Sequence, residues 1–146
     1  MTPEEVPGFL AAIQARVATA APDCAMAMGE EHRKRMDTLL TRYPHAAGTK
    51  TPSPPGQPPG LISGALRGSV TCVRGPGGGM HASALTGPHI VYARIQEYGG
   101  RVPTWGNVRT HSIPARPYVR PSRDQVIASG SAVAAADAAF MRHVWG

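Results

Sequence analysis

The sequence predicts an α+β fold: N-terminal helices, a small antiparallel sheet of three to four strands, and a long C-terminal helix packed on that sheet. Three observations carry this expectation. Val6, Phe9, Leu10, Ile13 and Val17 recur at helical spacing near the N terminus. A β-branched run, "SVTCV" at 69–73, stops at the glycine cluster "GPGGG", as a strand stops at a hairpin tip. A second helical stripe (Val126, Ile127, Val133, Phe140, Met141, Val144), interleaved with alanines and Gly130, closes the chain. The 146 residues suit one domain, divided into a helical region (1–43), a Pro-rich arm or loop (44–62), a sheet region (63–120) and the C-terminal helix (121–146).

Taken in order, Thr2-Pro3-Glu4-Glu5 reads as a helix start, with Thr2 as N-cap and Glu5 closing a capping box. Pro7 would be awkward inside that helix and moves the start toward itself. Pro22 is expected to end it, and Asp23 to cap a second helix reaching Tyr43 with Met28, Met36, Leu39, Leu40 and Tyr43 as its apolar stripe. Six prolines in the seventeen residues 44–60 exclude helix and sheet interior, leaving an extended arm expected to lie along a neighbouring subunit. After the β-rich run within Gly64 to Arg74, residues 80–86 are expected to pair back. "HIVYARIQEY" at 89–98 reads as a third strand or as a strand running into a helical turn. Residues 101–113, around Trp105 and Gly106, read as irregular. Ser122 with Gln125 reads as the capping box of the last helix.

Hydrophobic content is 42% and aromatic content 5%, and much of the apolar share is alanine. Such a core is thin, and self-association would complete it. Formal charge is +6, with residues 1–43 at −1 and residues 44–146 at +7, a bias that favours nucleic acid or an acidic protein surface as neighbour. Thirteen of the fifteen bases are arginine. No apolar stretch approaches the ~18 residues a membrane span needs, so no membrane partner is expected.

Catalysis finds little to work with. Paired carboxylates need a second acid, yet Glu97 is the sole acid between Asp37 and Asp124. The histidines and Cys24 and Cys72 show no metal-ligand spacing. "ASGSA" at 128–132 falls inside a helical stripe, where serine is simply small, and "GPGGG" lacks the Gly-Lys-Ser/Thr of a phosphate loop. The expectation is a protein that is not an enzyme and uses no cofactor or metal. Eight arginines of the 63–123 stretch with scattered tyrosines fit no nucleic-acid-binding signature; a small basic nucleic-acid-binding protein stands as the alternative reading.

Three stretches then line up in order. "PPGQPPGLISGALRGSV" resembles the proline-rich lead-in and T/S-G-x-L-R-x-S box of tailed-phage tail-completion (neck) proteins, on Ser63, Gly64, Leu66, Arg67 and Ser69. "YARIQEYGG" resembles their Y-A-x-x-x-E-F/Y-G segment, on Tyr92, Glu97 and Gly99. "IPARPYVRPSRDQ" is similar to their A-R-P-F-L-R-P-A box, on Arg116, Pro117, Tyr118, Arg120 and Pro121. Ser63, Tyr118, Val119 and Ser122 depart from the usual Thr, Phe, Leu and Ala while keeping shape. "IQEYGG" and "IPARPY" also resemble the related contractile-tail group, but Gln96 and Glu97 stand where that group has His and Gln; Glu97 follows the non-contractile pattern.

The resemblance implies a structural virion protein of a tailed phage: a ring, expected to be a hexamer, at the head–tail junction, made in the host cytoplasm. Its implied partners are itself, the connector or head-completion proteins, the tail terminator or tail tube, and DNA in the lumen by non-specific contact. On the residues, Gly64 would permit a tight turn and Leu66 would anchor the core. Arg67 and Glu97 are expected to form an ion pair, within a subunit or across the ring. Arg116 and Arg120 would bond carbonyls or acids of a neighbour while Pro117 and Pro121 fix the approach to the last helix.

Overall fold

The computed structural model describes residues 2, 4–42, 51–103 and 110–145. The fold is α+β, in the order α1 (Val6–Thr41), α2 (Ala65–Gly68), β1 (Val70–Arg74), β2 (Ala84–Pro88), α3 (Ala93–Tyr98), β3 (Gly100–Pro103), β4 (Thr110–Ile113), α4 (Val119–Ser129) and α5 (Ser131–Trp145). The described strands form two antiparallel pairs, β1–β2 and β3–β4. Among the described residues the expected sheet of three to four strands is not found: residues 93–98 take the helical option between β2 and β3. The β3–β4 pair runs in register from Gly100 opposite Ile113 to Pro103 opposite Thr110, where irregular chain was expected; Trp105 and Gly106 lie outside the described residues.

The N-terminal helices are one helix. α1 runs through Pro22, although an interior proline forfeits a backbone hydrogen bond at about 3 kcal/mol. Two features offset that loss: alanines at 18, 20, 21 and 25 favour helix, and the turns after Pro22 are fixed to the β1–β2 hairpin. Thr86 Oγ1 lies 3.2 Å from the Gly29 carbonyl and 3.3 Å from Cys72 Sγ, and Arg74 reaches Asp23 at 2.6 Å. The helix starts at Val6, placing Pro7 in the first turn, where no intrahelical donor is needed. Glu5 does accept the Thr2 N–H at 2.7 Å, but in a turn that precedes the helix. At the other end, Gly130 (φ 68°) divides the expected single C-terminal helix into α4 and α5. Its predicted stripe is accordingly broken: Val126 is buried while Ile127, Val133 and Met141 are exposed.

The chain forms two compact units. The first comprises residues 1–32, 72–86 and 126–146. Ala20, Val126 and Ala139 are buried there, and Asp23 joins β1 to α5, holding Arg74 with one oxygen and His143 Nε2, at 2.8 Å, with the other. Gly29 lets helix approach hairpin: a Cβ there would meet Cys72 Sγ at 2.5 Å and Thr86 Oγ1 at 2.9 Å. The second unit comprises residues 33–71 and 87–125. Its core is Met36, Leu40, Val70 and Tyr118, with Leu66 and Val119 packed against it, so Leu66 sits where the sequence expected it.

The Pro-rich segment is partly settled by this second unit. Residues 44–50 lie outside the described residues. Residues 51–62 fold against their own chain: Ser53, Pro58 and Pro59 are buried, and the Gly56 N–H donates to the Ala115 carbonyl at 2.9 Å. This half of the segment is therefore anchored on its own chain.

Candidate functional site

All three sequence boxes fall in the second unit; the second and third meet at Glu97, and the first borders a cavity lined also by Gln96 and Arg116. The α3 helix ends at Gly99 (φ 68°, ψ −172°), where a Cβ would stand 2.8 Å from both the Ala115 nitrogen and the Ile113 oxygen. That close passage brings the 113–116 segment alongside α3, and the Arg116 N–H donates to the Gln96 carbonyl at 2.6 Å. Glu97, only 7% exposed, then faces the start of α4. One carboxylate oxygen accepts the N–H of Tyr118 at 2.7 Å and of Val119 at 2.9 Å, and the other that of Arg120 at 3.0 Å.

This arrangement completes the helix end. The first four N–H groups of an α-helix have no partner within it. Here those belong to Tyr118, Val119, Arg120 and residue 121. Glu97 takes the first three, and Pro121 carries no N–H to satisfy. The negative charge also lies at the positive end of the helix dipole. Ser122 is not the N-cap expected of it; it is inside α4, wholly buried, its Oγ donating to the Val119 carbonyl at 2.7 Å. Gln125 instead accepts from Arg35 Nε at 2.6 Å.

The expected Arg67–Glu97 ion pair does not form within the chain. Arg67 Nη1 donates to Thr41 Oγ1 at 3.0 Å, and Glu97 is engaged by backbone donors that approach at hydrogen-bond distance without a charged side chain. Arg116 does bond a carbonyl, but in its own chain: Nε donates to the Ser53 oxygen at 2.8 Å. Arg120 is exposed, with its guanidinium 5.8 Å from the centre of the Tyr98 ring, a cation–π distance. Ser69 is buried and donates through Oγ to the Leu66 carbonyl at 2.7 Å, closing α2. Gly64 has φ 76° and turns the chain into α2, a short helix the sequence did not suggest before the strand.

The first box also borders a cavity of about 330 Å³. Leu40, Leu61, Ile62 and Leu66 supply apolar wall; Ser53, Arg67, Gln96 and Arg116 supply polar groups; Tyr92 lines it as well. Two buried hydroxyl oxygens of this unit, Ser53 Oγ and Tyr118 Oη, have no hydrogen-bond partner among the described residues. Burial, then the charges of Glu97 and Tyr92, push the Tyr118 phenol above its ordinary pKa. Ser53 and Gln96 were missed from the sequence because their roles depend on a contact across some sixty residues of chain and on one helical turn, respectively.

Among the described residues no group of three or more His, Cys, Asp or Glu could hold a metal ion, and no helix is long and apolar enough to cross a membrane. Comparison of the chain with protein-family models, with curated proteins and with solved structures finds no match.

Proposed function

We propose that the chain is a structural virion protein of a tailed phage, a subunit of an oligomeric ring at the head–tail junction that completes or joins the tail. The observation that carries the reading is the convergence of the three resembling boxes on one node. Glu97 of the second box caps the helix that the third box begins, and Arg116 of the third lines the same cavity as Gly64, Leu66 and Arg67 of the first. The node is architecture. Its carboxylate is engaged by three backbone donors, the state of a group that holds a fold together.

Two features support self-association. Val6, Phe9, Leu10 and Ile13 share one face of α1 and are exposed, a stripe of the kind that a partner covers. The units also differ in charge. The second holds twelve bases against three acids (Asp37, Glu97 and Asp124), and the first three bases (Arg16, Arg74 and Arg142) against six acids. The basic unit of one copy therefore suits the acidic unit of the next, and repetition of such a heterologous contact closes a ring. The ring size proposed is six, with the connector on one side and the tail terminator or tube on the other.

A small basic nucleic-acid-binding protein is the second reading, favoured by the charge of the second unit. The two separate in one pair of measurements. Mass spectrometry of purified particles from a strain carrying this gene should find the chain in the virion. DNA binding by the isolated chain at physiological salt, with a steep salt dependence, together with absence from the particle, would favour the second reading and overturn the first.

A further inference from the structure

We propose that the cavity between the 59–67 segment and Arg116 binds a carboxylate carried on an aliphatic stem, that is, a glutamate side chain of an acidic protein segment. The inference stands on the cavity itself and holds whether or not the chain works at a phage neck.

Arg116 is the first ground. Its side chain is buried, 7% exposed, and Nε is engaged by the Ser53 carbonyl, yet no acid pairs with the guanidinium among the described residues. A buried cation without an anion is costly, and its remaining donors form a fork suited to a carboxylate. The unit has no acid to spare. Asp37 pairs with Arg33 and Asp124 with Arg123, each at 2.7 Å, and Glu97 caps α4. Residues 43–50 and 104–109 contain neither Asp nor Glu. Any counter-charge for Arg116 therefore comes from outside the unit.

Ser53 is the second ground. It lines the same cavity, is 4% exposed, and its Oγ has no partner among the described residues. Gln96 and Arg67 add further donors at the lining. The remaining wall is Leu40, Leu61, Ile62 and Leu66. A volume of about 330 Å³ lies at the small end of ligand pockets, which run from about 300 to 1,000 Å³. Apolar walls with a cationic end match methylene groups ending in a carboxylate. They suit a nucleic-acid phosphate poorly, because its neighbouring phosphates would have to pack against those walls. A carboxylate–guanidinium pair in such a site is short, charge-assisted and frequently bidentate.

The test uses the full chain and amide chemical shifts at physiological salt. The probes are a short capped peptide with one central glutamate, the same peptide with glutamine, inorganic phosphate, and a single-stranded oligonucleotide. The glutamate peptide should shift the amides of Gly60, Gly64 and Arg116 saturably, and the glutamine peptide should bind at least about tenfold more weakly. Arg116→Met should abolish binding, but that variant loses the Ser53 contact and could unfold. Gln96→Glu is therefore the deciding variant: it supplies an internal carboxylate at the lining, and should raise Tm while removing the response to the glutamate peptide. Equal binding of the two peptides, a response to phosphate or oligonucleotide alone, no response to any probe, or an unchanged response in folded Gln96→Glu would each overturn the proposal.

Discussion

Glu97 and Tyr118 are joined side chain to backbone: the Tyr118 N–H donates to the Glu97 carboxylate at 2.7 Å, twenty-one residues along the chain and inside the core. The same carboxylate takes the next two amides of α4, which makes an acid far away in sequence the cap of that helix. Replacing Glu97 by glutamine keeps the shape but removes the charge, and turns the side-chain amide NH2, itself a donor, toward at least one of the three N–H groups. Glu97→Gln should lose about 2–4 kcal/mol of stability in equilibrium urea unfolding, with increased amide exchange at residues 118–120. A loss below about 0.5 kcal/mol would contradict the capping role. Arg67→Glu should not rescue it, since Arg67 reaches Thr41 instead.

Tyr118 is wholly buried and its hydroxyl has no partner among the described residues. Tyr118→Phe should therefore be neutral or stabilising. The phenol also sets a pH dependence. Its folded pKa is raised, first by burial and then by Glu97, so above about pH 10 the unfolded chain releases a proton that the folded chain retains. Stability contributed by the neutral buried phenol is thus complete below that pH and falls as pH rises beyond it. Urea midpoints measured from pH 9 to 11 should fall more steeply in the wild type than in Tyr118→Phe; parallel slopes would contradict the assignment.

Pro22 lies inside α1 and withholds one helix hydrogen bond. Because α1 continues regardless, Pro22→Ala should stabilise the protein by about 1–3 kcal/mol, seen as a rise in Tm with unchanged far-ultraviolet helicity. A drop in Tm would mean that the ring of Pro22 contributes packing that α1 needs.

Two glycines should resist substitution for different reasons. Gly99→Ala forces a Cβ onto a positive φ and to 2.8 Å from two backbone atoms, and should cost at least about 2 kcal/mol or abolish folding. Gly29→Ala meets the side chains of Cys72 and Thr86. Its cost should fall when Cys72 is simultaneously changed to alanine, which opens space, whereas no side-chain change should rescue Gly99→Ala. Thermal melts of the two singles and the Gly29→Ala/Cys72→Ala double check this.

The sequence made some of this legible and hid the rest for physical reasons. The α+β class and the β1 strand with its hairpin follow from local pattern and glycine chemistry, whereas the Leu66 anchor and the turn at Gly64 come from the resemblance. Pro22 misled because helix breaking is a local rule, and the contacts that override it, Asp23 to Arg74 and Thr86 to Gly29, come from fifty or more residues away. The "HIVYARIQEY" stretch has strand composition, yet only the helical-turn option is realised, in its second half: Ala93–Tyr98 forms α3 and carries the buried Glu97 to the start of α4. Gly130 reads in the sequence as one small packing residue among alanines, although a positive φ there ends a helix. At the site, Glu97 was visible because it stands alone, but its partners are backbone donors, which leave no mark in composition. Ser122 drew the cap assignment because it fits the local signature; Pro121, a residue whose missing N–H suits a first helical turn, was the better clue.

The central proposal is that this chain is a neck subunit whose three boxes gather in one unit, around the Glu97 cap and the adjoining cavity. It is tested most directly by a reconstruction of the head–tail junction of the particle made by the strain that carries the gene. The account predicts a ring of copies of this chain between connector and tail, with α4 capped by Glu97 in every copy and the Val6–Ile13 face of α1 covered by a neighbour. A fully accounted-for neck with no density for this chain would contradict it.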